Sequence, residues 1–96
     1  MPFIALATKG IIMCMHYVYI LRSELEPSQL YYGMTSNLKS RLKSHNNGQS
    51  KHTSKFKPWK VIWYGSFESI ETAKEFETYL KTASGKAFLR KRLIKY

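Results

Sequence analysis

Apolar residues recur in two rhythms along the chain, and the switches between them mark its elements. Residues 16–21 (His-Tyr-Val-Tyr-Ile-Leu) are β-branched and aromatic, the makeup of a strand. The polar stretch 23–29 contains Pro27 and reads as a turn. Residues 30–34 form a second short strand, so the pair predicts an antiparallel hairpin. Thr35, Ser36 and Asn37 then supply an N-cap cluster, a helix follows over 38–46, and Asn47-Gly48 stops it. Residues 49–57 read as a basic polar loop and 59–67 as a third strand. Ser69 is positioned to cap a helix running to about 81, and Ser84 a last basic helix running to about 94. The order β-β-α-β-α-α predicts an α+β domain, a three-stranded, mostly antiparallel sheet with flanking helices. No internal repeat interrupts it.

Length and composition narrow the class. A chain of 96 residues with 44% hydrophobic and 15% aromatic content folds as one domain and is no disordered tail. Residues 1–15 read as an N-terminal extension. Phe3 to Ala7 is apolar but too brief to span a bilayer, and no basic residue precedes it as in a secretory signal. Met15 stands directly before the first strand pattern. It is the expected true start, with 1–14 dispensable and poorly ordered and the functional domain covering 16–96. A single cysteine, Cys14, forbids an internal disulfide, and His16, His45 and His52 have no zinc-ligand spacing. A reducing cytoplasm fits, with no membrane partner. Sixteen Lys and Arg against six Asp and Glu give a formal charge of +10. Such a field favours polyanions, DNA or RNA above all.

Two helices carry polar residues where apolar ones belong. With Leu38 at zero on a helical wheel, Leu42 lies near ~+40°, Arg41 near ~−60° and His45 near ~−20°. Arg41 and His45 thus share the inward face, while Lys39, Ser40, Lys43 and Ser44 look out. An unpaired guanidinium and imidazole there are costly. Either they hold an anion at the sheet edge, or Arg41 snorkels and His45 is an ordinary half-buried histidine. On the later helix Glu77 falls within ~40° of Ala73, inside the stripe of Ile70, Ala73 and Leu80, whereas Glu71 and Glu75 face away. Its cation is either Lys81, four residues on, or a hard divalent metal. Together the two anomalies describe a phosphate-plus-metal site, with Arg41 on the phosphate and Glu77 on the metal. Tyr17 and Tyr19 share one face of the first strand, and Tyr31 and Tyr32 point opposite ways on the second; tyrosines in strands are also ordinary packing residues. Gly33 marks a bend or a close approach of backbone.

These residues carry a resemblance. Tyr17-Val18-Tyr19 and Tyr31-Tyr32-Gly33 resemble the Gly-Ile-Tyr and Tyr-Ile-Gly motifs of the GIY-YIG nuclease family. Arg41 lies ten residues after Tyr31, His45 four further on, and Glu77 sits in a pattern with Leu80 and Lys81, all spaced as in that family. Lys51-His52-Thr53 and Lys57-Pro58-Trp59-Lys60 are similar to the small stand-alone bacterial branch, itself similar to the nuclease domain of the bacterial excision-repair nuclease. The likeness runs over about 16–94. The chain departs from the family in lacking the first-motif Gly and second-motif Ile, in having Met34 and Thr35 where a basic residue is common, and in having no Asn after Asn47.

The resemblance implies an endonuclease hydrolysing phosphodiester bonds in DNA or RNA, with a role in DNA repair or nucleic-acid processing. It implies Mg²⁺ or Mn²⁺ held by Glu77, Arg41 on the non-bridging oxygens, and Tyr31 as base or water-positioner. Tyr19 and His45 would then position water or carry the proton onward. Lys51, His52, Lys55, Lys57, Lys81 and Arg90 are the expected nucleic-acid contacts. A partner protein could supply specificity. The rival expectation is a basic nucleic-acid-binding module without catalysis.

Overall fold

The run that begins at His16 becomes the middle strand of a three-stranded sheet. The structure, a computed structural model, describes residues 15–95. Expectations about the N-terminal extension and Cys14 fall outside those residues. Strand β1 (His16–Ser23) pairs antiparallel with β2 (Leu30–Thr35) on one side and with β3 (Trp59–Phe67) on the other, giving the order β2-β1-β3. β1 outruns its hydrophobic pattern by two residues because Arg22 and Ser23 still find ladder partners in Leu30, Lys60 and Trp59.

A middle strand with both faces covered has no solvent side, and Val18, Tyr19, Ile20 and Leu21 are each at most 1% exposed. Successive side chains alternate between faces. Val18 and Ile20 join Ala73, Leu80, Leu89 and Ile94 on one face. Tyr19 and Leu21 join Trp59 on the other. A register shift opposite Ile20 and Leu21 places one extra residue, Ile62, in β3. That bulge lets both Ile62 and Trp63 pack on the first face while Val61 stays on the second.

Helix α1 (Leu38–Asn46) forms over the expected residues. Asn37 is extended and its Oδ1 accepts from the Ser40 amide at 3.0 Å. Gly48, with φ of 75°, turns the chain out of the helix in the left-handed region that glycine enters freely. The segment read as a loop over 49–57 contains a one-turn helix, α2 (Lys51–Ser54). No apolar period announces it, because tertiary bonds hold it. Trp59 Nε1 donates to the Thr53 carbonyl at 2.9 Å, and the His45 ring meets the Thr53 hydroxyl.

Helix α3 (Ile70–Leu80) is capped by Ser69 as expected. The last helix starts earlier than expected: α4 (Ala83–Phe88) is capped by Thr82, whose Oγ1 accepts from the Gly85 amide at 3.0 Å, and not by Ser84. The reason is packing. Gly85 is buried where any Cβ would strike the Tyr79 backbone, which places it in the helix's first turn, directly against the end of α3. A π-helical turn, Leu89–Leu93, continues α4. Residues of α3 and of this turn, with Ile94, cover the Val18 face; α1 and the segment around α2 cover the Tyr19 face. Among the described residues no helix is long and apolar enough to cross a membrane.

Candidate active site

The site grows from Tyr19, which the middle strand buries on the α1 face. Its partner across the ladder is Gly33, and a Cβ there would run into the Tyr19 phenol. Glycine is therefore what lets the ring lie over β2, the close approach expected at that position. Helix α1 brings two groups to the phenol oxygen. His45 Nε2 lies 3.1 Å from it, and Arg41 Nε donates to it at 3.4 Å. On the far side of the imidazole, His45 Nδ1 is 2.8 Å from Thr53 Oγ1. Arg41, Tyr19, His45 and Thr53 thus form a hydrogen-bonded line from solvent into the interior. The helical wheel is half right about it. His45 is wholly buried, but Arg41 is an exposed residue that reaches the phenol from the rim.

Burial sets the protonation states of this line. It pushes the Tyr19 phenol above its usual pKa, while the hydrogen bond from Arg41 pulls it back. Burial, and then the Arg41 charge, push the His45 imidazole below its usual range. The bond to Tyr19 holds Arg41 all the more firmly as a cation. A neutral imidazole has one donor and one acceptor nitrogen. Since Arg41 already donates to the Tyr19 oxygen, the line is satisfied when Tyr19 donates to His45 Nε2 and His45 Nδ1–H donates to Thr53; this tautomer is assigned from the bonding pattern.

Tyr31 stands beside the line, its ring centre 4.7 Å from that of His45 and 6.3 Å from that of Tyr19. It also forms one wall of an open cleft of about 540 Å³, lined as well by Gln29, Lys51, His52, Lys55 and Trp59. Three of the expected nucleic-acid contacts, Lys51, His52 and Lys55, therefore meet the tyrosine cluster. Others do not. Lys57 is exposed but does not line the cleft, and Arg90 belongs to the π-helical turn packed on the opposite face. Lys81 lies 3.7 Å from the Glu77 carboxylate, the pairing that competes with a metal. Glu77 is half-buried on α3, the helix that covers the opposite face, and it does not line the cleft; its charge adds only weakly to the upward shift of the Tyr19 phenol.

The model of the GIY-YIG catalytic domain matches residues 15–92. This chain belongs to the GIY-YIG family. Among its relatives, a UPF0213 protein of Clostridium perfringens is 43% identical over 68 residues, spanning 70% of this chain and 71% of that one. The structure-specific endonuclease subunit SLX1 homolog of Giardia intestinalis is 32% identical over 73 residues, which is 72% of this chain but only 20% of the relative. The solution NMR structure of a UPF0213 protein from Bacillus halodurans superposes with a TM-score of 0.52 at 29% identity, covering 85% of this chain and 89% of that one.

Two residues of this GIY-YIG site lie beyond what the sequence pattern points to. Thr53 ends the hydrogen-bonded line, and its only signal is its place in Lys51-His52-Thr53. Asn46 joins the end of α1 to the start of β3: its Nδ2 donates to the Trp59 carbonyl at 3.0 Å, and its Oδ1 accepts from the Trp59 amide. Next to Asn47-Gly48 it looks like one more helix-stop residue.

Proposed function

We propose that this GIY-YIG protein is a divalent-metal-dependent endonuclease that hydrolyses phosphodiester bonds in DNA or RNA, with a role in DNA repair or nucleic-acid processing. The observation that carries the reading is the line Arg41–Tyr19–His45–Thr53 running beside Tyr31, at the wall of a cleft lined by Lys51, His52 and Lys55. The SLX1 relatives, named as structure-specific endonuclease subunits, support nuclease chemistry. The word subunit in their name also supports a partner that supplies specificity.

The roles follow from position and charge. Lys51 and Lys55 attract the phosphate backbone without reading sequence. Arg41, a permanent cation at the rim, faces the non-bridging oxygens and stabilises the charge that builds on them in the transition state. Tyr31 lies at the cleft wall, where it positions the attacking water and takes its proton as its own phenolic proton moves on. Tyr19 hands a proton on to His45 Nε2, and the imidazole ends the route as imidazolium, with Thr53 orienting its ring. A hydrated Mg²⁺ or Mn²⁺ fits the donor set. Among the described residues no cluster of three His, Cys, Asp or Glu forms a protein cage, but Mg²⁺ is commonly held by one or two carboxylates with waters and substrate phosphate filling the rest. Glu77 would be that carboxylate, exchanging Lys81 for the ion. When bound, the ion would neutralise charge on the scissile phosphate and the leaving oxygen.

The test is incubation of the protein with single-stranded, double-stranded and branched DNA and with RNA, with and without Mg²⁺ or Mn²⁺. Cutting is expected only with the ion, and Tyr31→Phe, Arg41→Ala and Glu77→Ala should each slow it at least ~100-fold. Variants that cut as fast as the parent would end the site assignment. The Glu77–Lys81 pair favours a second reading, a basic binding module. Tight binding with no cutting of any substrate would support that instead.

A further inference from the structure

A second hollow opens on the same sheet face, against the first turn of α1, and the reaction above uses none of it. It is about 480 Å³ in volume, and its lining includes Tyr17, Lys39, Leu42, Val61 and Tyr64. Tyr17 occupies the position where the family's first motif has glycine, so a phenol ring stands where that motif carries no side chain. Tyr64 is the ladder partner of Tyr19 on β3, and it is 42% exposed. The rings of Tyr17 and Tyr64 meet edge-on, their centres 6.1 Å apart and their planes at 63°. An edge-to-face pair leaves ring faces uncovered. Tyr64 keeps part of its ring open to solvent.

We infer that the Tyr17–Tyr64 pair, in the hollow that Lys39 also lines, is a stacking platform for one nucleobase of the bound strand. The inference rests on the nucleic-acid reading of the adjoining site and adds a contact to it. Tyr17 and Tyr19 are two residues apart on one face of β1, about 6.6 Å along the strand. The platform therefore adjoins the line that Arg41 and Tyr19 begin. The ligand chemistry also matches. A nucleotide offers a flat π face and an anion side by side, and the hollow is lined by two tyrosine rings and the exposed Lys39. The formal charge of +10 over the chain favours a polyanion as the bound partner.

The test reads binding apart from cleavage. Fluorescence anisotropy follows a short labelled single-stranded oligonucleotide binding to the full chain in EDTA. Tyr64→Ala should weaken binding about tenfold, while Tyr64→Phe, which keeps the ring, should bind within about threefold of the parent. A series of oligonucleotides, each abasic at one position, should include one position that weakens the parent. That same lesion should bring no added loss to Tyr64→Ala. Circular dichroism checks that the variants fold. If Tyr64→Ala binds as the parent does, or the abasic loss persists in it, the platform is overturned, and metal-dependent cutting by the parent leaves the nuclease reading standing. If Tyr64-dependent binding is found but no substrate is cut, the nuclease reading falls and the platform stands. A parent that binds no oligonucleotide overturns both.

Discussion

The two faces of this sheet share a strand and differ in kind. Val18 and Ile20 face a wholly apolar cluster with Ala73, Leu80, Leu89 and Ile94. Tyr19 and Leu21, on the same four-residue run, face a layer in which a buried histidine and a buried threonine are threaded between aromatic rings. Burying polar groups is tolerable only when they are paired, and on this face they are. Apolar packing on one side therefore carries the fold, which leaves the other side free to hold groups chosen for chemistry.

The sharpest way to break that division is to damage each face and see which property fails. On the apolar face, Leu80→Ala removes a fully buried side chain from between α3 and the sheet. It should cost about 2–5 kcal/mol of stability by urea denaturation, with activity per folded molecule kept. On the polar face, Arg41→Ala should do the reverse. Cutting should fall at least ~100-fold, while stability changes by under about 1 kcal/mol, since only a rim hydrogen bond is lost. If Arg41→Ala unfolds the protein as readily as Leu80→Ala, the faces are not specialised.

The same division explains what can be read in the sequence. The apolar face is written locally. The β-branched and aromatic run 16–21, the Ser69 cap and the Ala73 and Leu80 stripe each signal their element within a few residues, although Ile70, read into that stripe, is 47% exposed. The polar face is written across the chain. His45 announces itself as a polar residue on an inward stripe, but its partner Thr53 lies on a one-turn helix with no period of its own. Ideal geometry places Arg41 inside the face, yet a long side chain can serve the same oxygen from outside it. The cap of the last helix is ambiguous in sequence because Thr82 and Ser84 are both good caps, and the choice lies in the contact of Gly85 with Tyr79. For Glu77 the sequence leaves Lys81 or a metal open; the Lys81 pairing is present.

A finer test enters between the faces at Gly33. Gly33→Ala adds a single methyl on β2, but it meets the buried Tyr19 ring and not solvent. Shifting that ring should destabilise by about 1–3 kcal/mol, as overpacking does elsewhere. It should also slow cutting, because the phenol can no longer keep both Arg41 and His45. Tyr19→Phe combined with Gly33→Ala separates the two effects: the hydroxyl is already absent, so the methyl should then affect stability alone.

The smallest effect is one of pH. The folded chain keeps His45 neutral, its pKa lowered by burial and by Arg41, whereas the unfolded chain protonates it near the ordinary value of ~6.5. Below that pH the unfolded state binds the additional proton, so His45 makes stability fall as pH drops toward the depressed folded pKa, and adds no slope above ~6.5. The slope is at most about 1.4 kcal/mol per pH unit. His45→Gln should lower stability at every pH but flatten this segment of the curve, and the difference between the two pH profiles isolates the histidine from every other titrating group. Parallel profiles from pH 7 to 5 would mean that the imidazole takes up its proton as easily folded as unfolded. The polar face would then be wet, and a water-excluded route from Tyr19 to His45 would have no physical basis.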